Sequence, residues 1–114
     1  MIRAAIAASL ALALAACATT PDSAAPARPD ARSYAVTTNA MGDVDASLAR
    51  AADNGKRVLV VLGANWCHDS TALAGWLETP RFAALVAERY ELVFVNVGMP
   101  QTGDGHNLAV PQRF

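Results

Sequence analysis

Cys67 and Ser70 stand three residues apart in the stretch Asn65-Trp66-Cys67-His68-Asp69-Ser70, and this pairing is the chain's best candidate for chemistry. Upstream, Val58 to Leu62 is an unbroken apolar run in which three of five residues are β-branched, closed by Gly63. Such a run reads as a strand covered on both faces. Downstream, Leu73, Trp76 and Leu77 fall three and four apart, the spacing of one helix face. Cys67 is therefore expected at, or just before, a helix N-terminus. Amide groups in a first helical turn lack intrahelical acceptors and carry partial positive charge, which favours a thiolate over a thiol. Ser70 is placed to donate its hydroxyl to that sulfur. His68 adds positive charge when protonated. Asp69 opposes the thiolate if it points inward, and supports the helix N-terminus if it points outward. Trp66 is placed to shield the sulfur from water. The plainer reading makes Ser70 a first-turn residue, and Asn65 and Trp66 turn and packing residues.

Other chemistries find less support. Cys67, His68, Asp69 and His106 are ligand types, but an adjacent Cys-His pair lacks the spacing of a closed metal site. No metal and no cofactor is expected, and His106 reads as a solvated loop histidine. There is no Gly-x-Ser-x-Gly elbow for a serine nucleophile. The loop from 98 to 105 contains Pro100, Gly103 and Gly105 but no phosphate-binding signature. It is expected near the site.

Several elements must position the cysteine. Tyr34 to Thr37 is expected as a short first strand, and 39–43 as a turn. Asp43 or Asp45 is expected to cap a helix carrying Val44, Leu48, Ala51 and Ala52 on one face, ended by Asn54-Gly55. The helix after Cys67 is expected to end near Glu78. Thr79-Pro80 then starts another, with Phe82, Leu85, Val86 and Tyr90 at helical spacing. Trp76, Phe82 and Tyr90 read as core or rim packing. Leu92 to Val97 is a second apolar strand, and helices between two such strands predict parallel pairing. Residues 107–114 are expected to begin a short helix despite Pro111.

The N-terminal third has a different character. Arg3 precedes an apolar, alanine-rich segment from Ala4 to Ala16, too short to span a bilayer in the usual way. It ends in Leu14-Ala15-Ala16-Cys17, which resembles the lipobox of bacterial lipoproteins. Residues 1–17 are thus expected to be a signal peptide with lipid attachment at Cys17, which anchors the protein to a membrane without spanning it. Residues 18–33, with Pro21, Pro26 and Pro29, read as a flexible linker, and 34–114 as one domain. An exported, membrane-anchored protein on the periplasmic face of the cell envelope follows. Of the two cysteines, lipidation uses Cys17 and leaves Cys67 without an internal partner. The net charge of −1 offers nothing to nucleic acid.

The central stretch resembles the active-site region of the thioredoxin superfamily, in which a strand leads through Trp-Cys-x-x-Cys into a helix. Here the motif stands as Trp66-Cys67-His68-Asp69-Ser70, and Gly55 to Asn65 is similar to the segment preceding it in bacterial thioredoxin-like proteins. The resemblance covers roughly residues 43 to 114. It implies an α/β, partial thioredoxin-like fold with a β-α-β-α-β core. This core is expected to lack the hairpin and last helix that complete such domains, and Pro111 is not assigned the role of the substrate-binding cis-proline. An exposed sheet edge and modest stability are expected. With Ser70 in place of a second cysteine, the resemblance implies mixed disulfides at Cys67. Protein thiols or disulfides are the expected partners, with a small thiol or second protein as resolving agent. The alternative is a redox-inactive, membrane-tethered binding module.

Overall fold

The computed structural model describes residues 27–114; the expected signal peptide, Cys17 and the linker up to residue 26 lie outside the described residues. The element order is α1 (Ala40–Asn54), β1 (Arg57–Gly63), α2 (His68–Leu77), α3 (Pro80–Arg89), β2 (Tyr90–Asn96), β3 (Gly98–Met99), a 3-10 turn (Pro100–Thr102), β4 (Asp104–Gly105) and α4 (Ala109–Arg113). The fold is α/β. β1 and β2 pair in parallel, from Arg57 opposite Tyr90 to Gly63 opposite Asn96, with α2 and α3 in the crossover. No helix among the described residues is long and apolar enough to cross a membrane.

Alternation along the strands decides what each face buries. Val93 and Val95 join Ala40 and Val44 of α1 and Val110 of α4 in the buried core. Val58 and Val60 of β1 pack against the same cluster. On the opposite face Phe94 meets Tyr34 edge-on, with ring centroids 5.6 Å apart. α1 contributes Ala40, Val44, Ser47 and Ala51, spaced four, three and four apart on its buried side. Gly55 ends α1 in the left-handed conformation (φ 73°), its N–H donating to the Ala51 carbonyl.

Several expectations need correction. Tyr34 to Thr37 forms no strand. Its backbone is satisfied by a side chain instead: the Tyr34 N–H donates to Asn65 Oδ1 (2.7 Å), and Asn65 Nδ2 donates to the Tyr34 carbonyl (3.1 Å). The expected opening strand of the core is therefore an extended strap. α1 starts earlier than the Asp43 or Asp45 cap implied, with Asn39 at the N-cap and Asp43 inside the first turn. Asn107 allows this by accepting the otherwise unpartnered Ala40 N–H at Oδ1 (3.3 Å). Thr79 precedes α3 without capping it; its hydroxyl donates back to the Trp76 carbonyl (2.7 Å). In α2 the buried residues are Ala74 and Gly75, whereas Leu73 and Trp76 face solvent. Small residues face inward because the strap runs close over α2: a Cβ on Gly75 would collide with the Asp30 carbonyl. Phe82 is 40% exposed and meets Trp76 edge-on at 6.1 Å, which makes this pair rim rather than core. The strand runs are less covered than their composition suggested, since Leu62 is exposed and most of β1 is only half-buried.

Candidate functional site

The site lies beyond the C-terminal ends of β1 and β2. The parallel ladder carries on past Gly63, whose carbonyl accepts from the Val97 N–H (2.9 Å), and this sets the turn after β1 beside the turn after β2. Ala64 to Trp66 turn the chain, and the Cys67 N–H donates to the Ala64 carbonyl (3.1 Å). Cys67 then occupies the N-cap of α2, in extended conformation. Its own carbonyl accepts from the Thr71 N–H (3.1 Å), the first turn of the helix.

Cys67 is a free thiol and half-buried. The Ser70 hydroxyl most strongly, then the Ser70 and Asp69 N–H groups of the first turn of α2, favour the thiolate. Together they hold the thiol below its ordinary value, against the smaller opposing effects of partial burial and the Asp69 carboxylate. The donors favour the charged form because they stabilise a thiolate more than a thiol. The half-buried sulfur remains open to approach.

A groove of about 270 Å³ runs alongside it. One wall is Leu62, Gly63, Ala64, Trp66, Cys67 and Ser70; the other is Val97, Gly98, Pro100 and Gln101. The Trp66 indole bridges the walls, Nε1 donating to the Gly98 carbonyl (2.8 Å). Trp66 remains 50% exposed, so the ring forms a rim beside the sulfur rather than a lid over it. The loop wall is held from behind. Gly98 N–H donates to Asn96 Oδ1 (3.0 Å), and β3 and β4 make a miniature antiparallel hairpin. Asn107, in the left-handed conformation (φ 55°), donates from Nδ2 to the Thr37 and Asn96 carbonyls (2.7 and 2.9 Å). Those bonds offset the cost of its backbone.

The structure brings together Trp66, Cys67, Asp69 and Ser70. Asn65 contributes indirectly, with its amide turned to Tyr34 and away from the sulfur. His68 is exposed at the first helical position, and its carbonyl accepts from the Thr71 hydroxyl (3.1 Å). His106 sits behind Gly98 in the loop wall, with its Nε2 buried and unpartnered.

Tyr34 is the residue that sequence reasoning missed. It is 2% exposed, and its ring lies directly on Gly63, where a Cβ would collide with it. Its hydroxyl donates to the Ser70 carbonyl (3.4 Å), so it supports the first turn of α2 from below. Burial pushes its phenol up, as does the nearby Cys67 charge, while Arg32 pulls it down. Arg32 itself sits over the Phe94 ring (4.7 Å), pairs with Glu78 (2.8 Å) and donates its N–H to the Thr71 carbonyl (3.0 Å). The one available signal was that Tyr34 is the sole aromatic before Trp66.

The family profile described as Thioredoxin-like matches residues 39–113. This chain belongs to the thioredoxin-like family. The family match spans both helical faces of the sheet and every site residue from Asn65 to Gln101. Among solved structures, the thioredoxin-like chain is similar to a disulphide isomerase from Xylella fastidiosa Temecula1, at 32% identity and a TM-score of 0.64. That match covers 73% of this chain and 60% of the other, so the chain spans about three-fifths of its relative's length. Comparison with curated proteins gave no match.

Proposed function

We propose that this protein carries out thiol–disulfide exchange through a single active-site cysteine. The observation that carries the reading is the placement of Cys67, a free, half-buried thiol at the N-cap of α2, on the wall of an open groove and three residues before Ser70. The Cys67 thiolate attacks one sulfur of a substrate disulfide. The substrate S–S bond breaks, a Cys67–substrate disulfide forms, and the departing thiolate takes a proton from water. Ser70 has no sulfur to resolve this intermediate. A second thiolate, from the same substrate protein, another protein or a small thiol, must attack it and regenerate Cys67. No net electrons enter or leave the enzyme, and the outcome is isomerisation or transfer. The similarity to a disulphide isomerase supports this direction.

Lipid attachment at Cys17 and a position on the periplasmic face of the cell envelope complete the proposal. They rest on the Leu14-Ala15-Ala16-Cys17 motif and the proline-bearing linker after it. An oxidising compartment supplies the disulfides that the site would act upon.

The test is incubation with an excess of a peptide disulfide at neutral pH. A covalent adduct mapped to Cys67 supports the proposal; an unmodified Cys67 overturns it. A second reading, a redox-inactive binding module, draws on the exposed apolar side chains of α2 and α3, Leu73, Trp76, Phe82 and Leu85. Partner capture that survives Cys67→Ser favours that reading.

A further inference from the structure

The strap lies along α2 and decides where the N-terminal chain leaves the fold. Tyr34 sits under Ser70 at the site end of the helix, and the Arg32 N–H donates to the Thr71 carbonyl. Further along, the Asp30 carbonyl lies over Gly75, and the Arg32 side chain reaches Glu78 at the C-cap. The strap therefore runs antiparallel to α2: as residue numbers fall toward the N-terminus, the chain moves away from Cys67. Gly75 is already about 12 Å along the helix axis from the cysteine. Ala27 follows Cys17 by ten residues, a span of about 35 Å at full extension. At this far end α2 and α3 expose an apolar surface. Trp76 meets Phe82 edge-on, and Leu73 and Leu85 extend the exposed area on either helix. Phe82, Leu85 and Arg89 are three and four apart and share one face of α3, with Arg81 one turn before Leu85. Arg28, Arg81 and Arg89 are exposed and make no ion pair among the described residues. Glu88 is the one acid of α3, and Asp69 lies at the opposite end, beside Cys67.

Resting on lipid attachment at Cys17 as read above, we propose that Trp76, Phe82 and Leu85 seat this protein on an anionic phospholipid surface, with the Cys67 end of α2 turned away from it. Aromatic and leucine side chains settle at the boundary between headgroups and acyl chains, and arginines beside them meet the anionic headgroups. A covalent lipid alone holds a domain near the membrane without choosing its orientation. Here the tether leaves beside the apolar face, so the lipid and the face act on the same end of the molecule. The consequence for exchange is that Cys67 meets disulfides in the aqueous compartment rather than in the bilayer.

The test uses the full chain, purified with its lipid from bacterial membranes and reconstituted in vesicles of phosphatidylethanolamine and phosphatidylglycerol. Mass spectrometry first reads the lipid on Cys17. Trp66 and Trp76 are the only tryptophans of the chain, so Trp66→Phe and Trp76→Phe each leave a single reporter, one toward either end of α2. Each emission in vesicles with brominated acyl chains is divided by that in unbrominated ones, which removes quenching by the protein itself. Trp76 emission is expected to fall about twofold, and Trp66 emission by less than about a tenth, because only a ring at acyl depth meets bromine. Leu85→Glu, at an exposed position, is expected to restore about half or more of the lost Trp76 emission. Trp76 emission undiminished in a vesicle-bound chain overturns the seating and leaves this face to a protein partner. Trp66 quenched as strongly as Trp76, or Trp76 quenching unmoved by Leu85→Glu, overturns it as well. A chain without lipid on Cys17 instead overturns the anchoring on which the seating rests.

Discussion

The two faces of the β1–β2 sheet are built to different standards. On the α1 face, Ala40, Val44, Val95 and Val110 are at most 1% exposed, and Val93 closes the layer. On the other face α3 buries no residue at all, and α2 buries only Ala74 and Gly75. There the sheet is covered by a strap, Arg32 and Tyr34 over Phe94, and by a helix whose first turn is kept free for Cys67. Cohesion comes mainly from the α1 side, and the candidate site lies on the α2 side. A helix that presents a cysteine at its N-terminus cannot also bury that end, so its packing is delegated to Tyr34.

This division can be broken from either side. The largest effect is expected from Cys67→Ser, which should abolish the covalent adduct while changing stability by no more than about 0.5 kcal/mol, because the side chain is half-exposed. Mass spectrometry for the adduct and urea unfolding for stability check the two halves. Next comes Val95→Ala on the α1 face, expected to cost about 2–3 kcal/mol through lost burial and a residual cavity. The rate of Cys67 modification per folded molecule should stay unchanged, as measured by pairing urea melts with thiol-labelling kinetics.

Asn65→Ala tests the strap. It removes both bonds to the Tyr34 backbone, with an expected cost of about 1–2 kcal/mol. Unlike Val95→Ala it should also slow Cys67 at neutral pH, because Tyr34 supports the Ser70 turn. Equal labelling rates in the two variants would erase the proposed division.

The smallest effect concerns acid. Glu91 is held below its ordinary carboxyl value, first by the Arg50 hydrogen bond and then by Asn54. A carboxyl lowered on folding stabilises the fold above its unfolded pKa, and that contribution fades as pH falls through the folded value. Glu91→Gln should therefore flatten the acid limb of a stability–pH curve slightly and leave thiol reactivity alone.

The contrast also explains what could be read in advance. The parallel strands, the helix start at Cys67 and the loop wall near it were legible, because each rests on local pattern: β-branched runs, helical spacing, Gly and Pro. Leu73 and Trp76 misled, since helical spacing marks an apolar face without saying whether anything covers it. Tyr34 was misread as strand because its partners, Asn65 and Ser70, lie 31 and 36 residues away. The early start of α1 depended likewise on Asn107, 67 residues distant. Single side-chain clasps of this kind leave no periodic trace.

The central claim is that the first turn of α2 and the Ser70 hydroxyl make Cys67 acidic. Titrating the ultraviolet absorbance of the Cys67 thiolate in the Cys17→Ser chain, native and then unfolded in urea, measures this directly. The account predicts a lower midpoint in the native chain, moved upward toward the unfolded one by Ser70→Ala. A native midpoint at or above the unfolded one would contradict it.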